Sequence, residues 1–364
     1  MADPTDPIRQ EPRVRTDLAL LAGYHSPQVD VDVRLNTNEA AQPPPQAFTA
    51  DLQAALAGLT LNRYPDRGAV RLRTAIGDRY GMNVSQVFAA NGSNEAIQAL
   101  LLAYGGAGRT AAVFEPTYAM HSQIARITGT RVVGTARRQD FSLDEGLLGE
   151  LVAAERPDVM FMCSPNNPTG LVDPDGLVLA ALEMLAPHGG LLVVDEAYGQ
   201  FSQSSAVDLL SEDRSLVVSR TFSKTWAMAG LRLGYLLGPT WCVTELEKVA
   251  LPYHLDAIKQ EAGTLALAYG EEMQKHVGTI VAERQRLTAL LSELPLTVWP
   301  SQANFVLFRP ETMPASRVWE GLLERSVLVR DFSSAEGLDG CLRVTIGTQS
   351  EDDRFLVALR EVLS

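Results

Sequence analysis

The sequence predicts a layered α/β fold, on two observations about its apolar runs and one about its length. VFAAN, TAAVFEP, RVVGTAR, DVMFMCS, GLLVVDEAY, SLVVSRTF and RLGYLLG follow one another between residues 87 and 238, several separated by helical stretches. Most are apolar throughout rather than alternating, as strands buried on both faces are, which favours a sheet covered on two sides over a sandwich. At 364 residues the chain also exceeds one ordinary domain and has length for a large unit and a smaller one.

Taken in order, the first 15 residues, MADPTDPIRQEPRVR, are polar and Pro-bearing, and AQPPPQ at 41–46 is Pro-rich. A helix follows from about residue 68, with Leu72, Ile76 and Tyr80 at i, i+4 and i+8. The helix NEAIQALLLAYG comes after the strand VFAAN. From about 255 to 294 the pattern is long and mostly helical. LTVWP, NFVLFRP, SVLVRDF and CLRVTIG then supply strands, with ASRVWEGLLERS and SEDDRFLVALREVL as helices. The expected organisation is an N-terminal arm over 1–33, a large α/β domain over 34–250, and a smaller α+β domain with its linking helix over 251–364.

A net charge of −13 argues against nucleic acid or an anionic membrane as partner, so an anionic substrate must be caught by local arginines. No apolar run reaches the length of a membrane span, roughly 18 residues, and the N-terminus lacks the apolar centre of a signal peptide. A cytoplasmic protein is expected. Cys163, Cys242 and Cys341 are widely spaced with no C-x-x-C, so they read as core residues, and no metal site is indicated.

In open α/β sheets ligands gather beyond the carboxyl ends of the strands. After VFAAN, Gly92-Ser93-Asn94-Glu95 opens a helix whose free N–H groups suit a phosphate, though an ordinary N-cap reads the same way. After DVMFMC, the run Ser164 to Gly170 (SPNNPTG) fixes an irregular loop presenting side-chain amides. After GLLVV comes Asp195, a carboxylate costly to bury unless it faces a cation or caps a turn. SLVVSRTFS closes on Lys224, whose amine becomes a nucleophile if burial lowers its pKa, unless the side chain snorkels to solvent. One ligand with a phosphate, a cationic ring nitrogen and an aldehyde would explain all of these, and pyridoxal phosphate carries each group.

The motifs S-x-N-N-P-T-G at 164–170, D-E-A-Y at 195–198 and S-R-T-F-S-K-x-x-x-x-A-G-L-R-x-G at 219–234 resemble the fold-type I aminotransferases in order and spacing. R-L-N-T-N-E at 34–39, N-R-Y-P-D at 62–66, E-P-T-Y at 115–118, V-R-D at 329–331 and C-L-R-V-T-I-G-T at 341–348 extend the likeness from about residue 24 to the C-terminus. V-R-D and C-L-R-V-T-I-G-T favour the histidinol-phosphate aminotransferase branch. The resemblance implies that Lys224 tethers the cofactor and moves a proton, and that Asp195 pairs with the ring nitrogen. It implies that Tyr198 and Asn167 bind the ring oxygen and Tyr118 stacks on the ring. Ser93, Asn94, Thr221, Ser223 and Arg232 would hold the phosphate, and Tyr64 would reach it from the second subunit of a homodimer. Arg343, Arg330 and Tyr24 would bind substrate anions. The implied reaction is transamination between glutamate and imidazole-acetol phosphate. An aromatic amino-acid aminotransferase and a threonine-phosphate decarboxylase remain alternatives, as does a cofactor-binding transcriptional sensor, which would need a basic DNA-binding segment. One departure stands out: Ala40-Ala41-Gln42 replaces the Asn-Pro-Tyr that relatives tend to carry, so the loop over the substrate is expected to differ.

Overall fold

The computed structural model describes residues 14–18, 23, 29–333 and 335–364. The chain runs β1 (Val33–Leu35), α1 (Gln46–Ala57), α2 (Val70–Tyr80), β2 (Val87–Ala90), α3 (Ser93–Tyr104), β3 (Thr110–Glu115), α4 (Met120–Ile127), β4 (Arg131–Ala136), α5 (Glu145–Glu155), β5 (Val159–Cys163), α6 (Asp175–Leu185), β6 (Leu191–Asp195), β7 (Leu216–Thr221) and β8 (Gly234–Leu237). It continues through α7 (Thr240–Val249), α8 (Ala257–Leu267), α9 (Gly270–Leu291), β9 (Leu296–Val298), β10 (Phe305–Pro310), α10 (Ala315–Glu324), β11 (Val327–Asp331), β12 (Leu342–Thr345) and α11 (Gln349–Leu363).

A seven-stranded sheet has the order β2-β8-β7-β6-β5-β3-β4. From β4 to β7 the neighbours are parallel, because α4, α5 and α6 carry the chain back between strands. Only β8 runs against its neighbours. Successive residues of a strand feed opposite layers. Val193 packs with Phe161, Ile97 and Leu100 in the layer of α3, α4 and α7. Its neighbour Val194 packs with Met162, Leu148 and Ala181 in the layer of α5 and α6. Each such side chain contributes about 1.5–3 kcal/mol on burial, so strands apolar on both faces are stable only between two helical layers. With both faces covered, the strand ends remain for chemistry.

The smaller sheet has five strands in the order β1-β11-β12-β10-β9. Here the structure corrects the boundary expected at residue 34. Arg34 and Leu35 pair with Leu328 and Val329 of β11, so this strand belongs to the small sheet. The reason is its alternation: Val33 and Leu35 are buried while Arg34 faces water, the pattern of a strand on a half-solvated sheet. Similarly α8, expected in the small domain, packs on α1 and α2 through Ala262, Ala266 and Leu72.

One core carboxyl has a thermodynamic consequence. Asp352 on α11 is fully buried, with Oδ1 accepting from Gly347 N at 2.9 Å. Burial, and then the neighbouring Glu283 carboxyl, push it up from 3.8 to about 8. It therefore binds its proton more tightly folded than unfolded, and its stabilisation, complete below pH ~4, is lost as pH rises towards about 8. The slope from one proton is at most about 1.4 kcal/mol per pH unit. Asp352→Asn is expected to flatten the fall of Tm between pH 5 and 8, measured by thermal melts. An unchanged slope would remove Asp352 from that role.

Candidate active site

The ends of β2, β3, β5, β6 and β7 and the start of β8 face a cleft of about 420 Å³, closed on its other side by β11, β12 and the segment after β1. Its anion cradle begins at the N-terminus of α3. A Cβ on Gly92, whose φ is +86°, would lie 2.9 Å from Arg232 Nη2. A Cβ on Gly234 would lie 2.4 Å from Ser93 N. Glycine at both positions thus lets β8 and a guanidinium approach the free N–H groups of the helix. Arg232 donates to Ser223 Oγ at 3.3 Å, and Thr221 Oγ1 lies 3.0 Å from the same hydroxyl. Hydroxyls, a guanidinium and a helix start converge as an anion site.

Asp195 ends β6 only 2% exposed. Its Oδ1 accepts from Ala197 N at 3.1 Å, and its Oδ2 lies 2.9 Å from His121 Nε2. The His121 ring is stacked on Phe161 at 4.7 Å and met edge-on by Tyr118 at 5.4 Å. Tyr118 donates to Asn94 Oδ1 at 3.2 Å, tying the β3 end to the cradle. The next residue, Glu196, turns away and pairs with the buried guanidinium of Arg220. Thus D-E-A-Y splits into one residue for the cleft and one for the scaffold. S-x-N-N-P-T-G divides likewise: Asn166 donates to Pro116 O at 3.0 Å and Thr169 Oγ1 at 2.9 Å, while Asn167 lines the cleft.

Lys224 Nζ enters the cleft, donates to Thr37 O at 3.1 Å, and stands 5.8 Å from the centre of the Tyr198 ring. Burial and then the charge of Arg343, with Arg232 adding, pull its pKa from 10.5 down to about 7, against the opposing carboxylate of Glu39. Tyr198 is pinned edge-on by Phe305 at 5.0 Å, and its hydroxyl accepts from Asn38 Nδ2 at 2.9 Å. Burial raises its phenol to about 12. Opposite, Arg330 and Arg343 are register partners on β11 and β12. Arg343 lies over Phe305 at 5.0 Å and Phe332 at 5.3 Å, and donates to Asn36 O at 3.0 Å and to Asn167 Oδ1. Arg330 lies 5.7 Å from the centre of the Phe332 ring. Aromatic faces help to hold both guanidinium groups at the cleft.

Residues 30–359 match the family described as aminotransferase class I and II. The chain belongs to that family. A histidinol-phosphate aminotransferase of Frankia casuarinae is 44% identical over 96% of this chain and 90% of its own length. One from Mycolicibacterium smegmatis is 45% identical over 96% of this chain and 93% of its own. Among solved structures, a histidinol-phosphate aminotransferase from Sinorhizobium meliloti, in complex with pyridoxal-5'-phosphate, aligns with a TM-score of 0.88. It covers 98% of this chain and 99% of that one at 22% identity, a likeness of fold.

Of the residues expected from the family motifs, Ser93, Asn94, Tyr118, Asn167, Asp195, Tyr198, Thr221, Ser223, Lys224, Arg232, Arg330 and Arg343 all line this one cleft. Tyr64 does not: it is 81% exposed and stacked on Tyr253 at 4.5 Å. Tyr24 lies outside the described residues. The departure from the family at Ala40-Ala41-Gln42 leads into Pro43, Pro44 and Pro45, which line a separate cavity beside Trp226 and His276. Sequence reasoning passed over His121 and Asn38. Within AMHSQIARI a lone histidine signals nothing, and only the order β3-β5-β6 brings it under Asp195. Asn38 sits inside the quoted motif R-L-N-T-N-E, where its residue type was the available signal.

Proposed function

We propose that the chain is a pyridoxal-phosphate-dependent aminotransferase that interconverts imidazole-acetol phosphate and glutamate with histidinol phosphate and 2-oxoglutarate, in histidine biosynthesis. The observation that carries this is one cleft presenting the Lys224 amine and the Asp195 carboxylate between an anion cradle and two arginines. The curated relatives of that name, at 44% and 45% identity, support the same reading.

The residues present fit the cofactor. The space a Cβ at Gly92 would fill, beside Arg232 and the α3 N-terminus, suits a phosphate held by Ser93, Asn94, Thr221, Ser223 and Arg232. Asp195, buried and oriented by His121, suits a cationic ring nitrogen. When bound, the cofactor supplies an electron sink for the carbon that loses its proton. Tyr198 and Asn167 would bind its ring oxygen, and Tyr118 would stack on its ring. Lys224, with a pKa near about 7, has a large neutral fraction at physiological pH, so its amine can attack a carbonyl and afterwards take and return a proton. Arg330 and Arg343 would bind the substrate's anionic groups, Arg343 as the carboxylate clamp. Arg343→Ala is expected to raise KM for glutamate by about 100-fold, the loss of a charge-assisted hydrogen bond or two, with cofactor still bound. Unchanged glutamate kinetics would exclude it from the site.

Our reading includes a homodimer in which Tyr64 reaches the partner's cofactor phosphate. Its support is the exposed apolar surface around it: Leu61, Tyr64, Val70 and Leu251 are 73%, 81%, 51% and 76% exposed. The reading also includes a cytoplasmic location; no described helix is long and apolar enough to cross a membrane. Steady-state rates with histidinol phosphate and with phenylalanine test the substrate. A clear preference for phenylalanine would overturn the assignment while leaving transamination in place.

A further inference from the structure

We propose that Asn38 is a positioning residue that commits the hydroxyl proton of Tyr198 to the cleft; this rests on the role for Tyr198 given above. Asn38 follows β1 with φ of 55°, in the left-handed region, and is 1% exposed. Its carbonyl accepts from Asn304 Nδ2 at 3.2 Å, and its backbone N–H donates to Thr345 Oγ1 at 3.0 Å. That hydroxyl in turn donates its single proton to Asn38 Oδ1, at 3.0 Å.

The consequence is a fixed carboxamide. Were Oδ1 and Nδ2 exchanged, the Thr345 hydroxyl would accept from both Asn38 N and Nδ2 and its own proton would lose the acceptor it has here, so the carboxamide is held this way round. Nδ2 is therefore the atom 2.9 Å from the Tyr198 oxygen. An amide nitrogen only donates, so the phenol oxygen accepts and its own proton points elsewhere. Among the described residues Asn38 is the hydrogen-bond partner of that hydroxyl. The ring cannot turn to seek another, being pinned edge-on by Phe305 and buried on all sides except the cleft it lines. Burial first, with Cys163 and Asp195 adding, raises the phenol, while Arg343 and the Asn38 donor work the other way and make it a stronger donor. A left-handed site is open at little cost to Gly, Asn and Asp. Of these, Asn is the one that brings a donor. Thr345 lies on the same strand as Arg343, and Arg343 also donates to Asn36 O at 3.0 Å. The Asn36 to Asn38 segment thus ties the anion clamp of the small sheet to the phenol of the large one.

The test is the pH titration of the visible absorbance of the holoenzyme, reconstituted with pyridoxal phosphate. A hydroxyl donating to the ring oxygen favours the deprotonated chromophore, so loss of that donor raises the midpoint. Tyr198→Phe is expected to raise it, and Asn38→Gly to raise it by a part of that, about 0.5 pH unit, or threefold in proton affinity. In the Tyr198→Phe background, Asn38→Gly is expected to add nothing. An equal shift from Asn38→Gly in both backgrounds would show a merely structural residue and overturn the proposal. No shift in Asn38→Gly, with a shift in Tyr198→Phe, would also overturn it and leave the Tyr198 reading standing. If Tyr198→Phe itself leaves the midpoint in place, both fall. Should Asn38→Gly fail to fold, Asn38→Asp takes its place in the same cycle, where the direct effect of the new charge appears in both backgrounds and cancels.

Discussion

Lys224→Ala is expected to fold normally, to bind pyridoxal phosphate without a covalent bond, and to lose at least about four orders of magnitude in kcat. Folding survives because the amine makes a single hydrogen bond, to Thr37 O, and its burial already disfavours the charged form. Removing it leaves one carbonyl short of a donor rather than an unpaired buried charge, a cost of about 1 kcal/mol. On the proposed role, activity does not survive because the same amine would be both tether and proton carrier, and no other described lysine lines the cleft. Lys224→Arg makes the control: a hydrogen-bond donor is kept, the nucleophile lost, and activity should fall as far. Absorbance of the purified protein and mass spectrometry after borohydride treatment read the tether directly. A covalent adduct surviving in Lys224→Ala would refute the assignment.

Asp195→Asn is expected to lower kcat by about two to three orders of magnitude, the cost of breaking a buried charge pair. The shape of the site should persist, since the asparagine oxygen can still accept from Ala197 N. On the proposed pairing, what is lost is the charge opposite the ring nitrogen, so the effect belongs in kcat more than in KM. His121→Gln should give a smaller loss, because His121 acts only through Asp195, 2.9 Å away. Steady-state kinetics of the three proteins at saturating cofactor test both statements. An Asp195→Asn enzyme within tenfold of the parent would sink the pairing.

Six of the seven strands of the large sheet were legible as buried apolar runs, since burial on both faces leaves such a run one architecture, and β4 at the edge, with no buried residue, is the exception. The site was legible where residue type alone implies cost: Asp195 and Lys224 at apolar strand ends, Arg343 within an apolar strand. What was misread has a physical reason in each case. Val33 to Leu35 is too short to declare a partner, and its parallel register with β11 is a contact between residues nearly three hundred positions apart in sequence. His121 is one polar residue on a helix, indistinguishable from a surface histidine until the sheet order brings its ring against Phe161 and Asp195. Asn38 looks like any turn residue until Thr345 fixes which way its amide faces.

By itself, then, the sequence determined which residues are too costly to bury without purpose, and in what order the layers are built, because periodicity and desolvation act locally along the chain. Only the tertiary structure decided which of those groups meet. Distances such as 2.9 Å from Asn38 to Tyr198, or the register of Arg330 with Arg343, depend on how two sheets made from distant segments are set against each other, and no local rule encodes that.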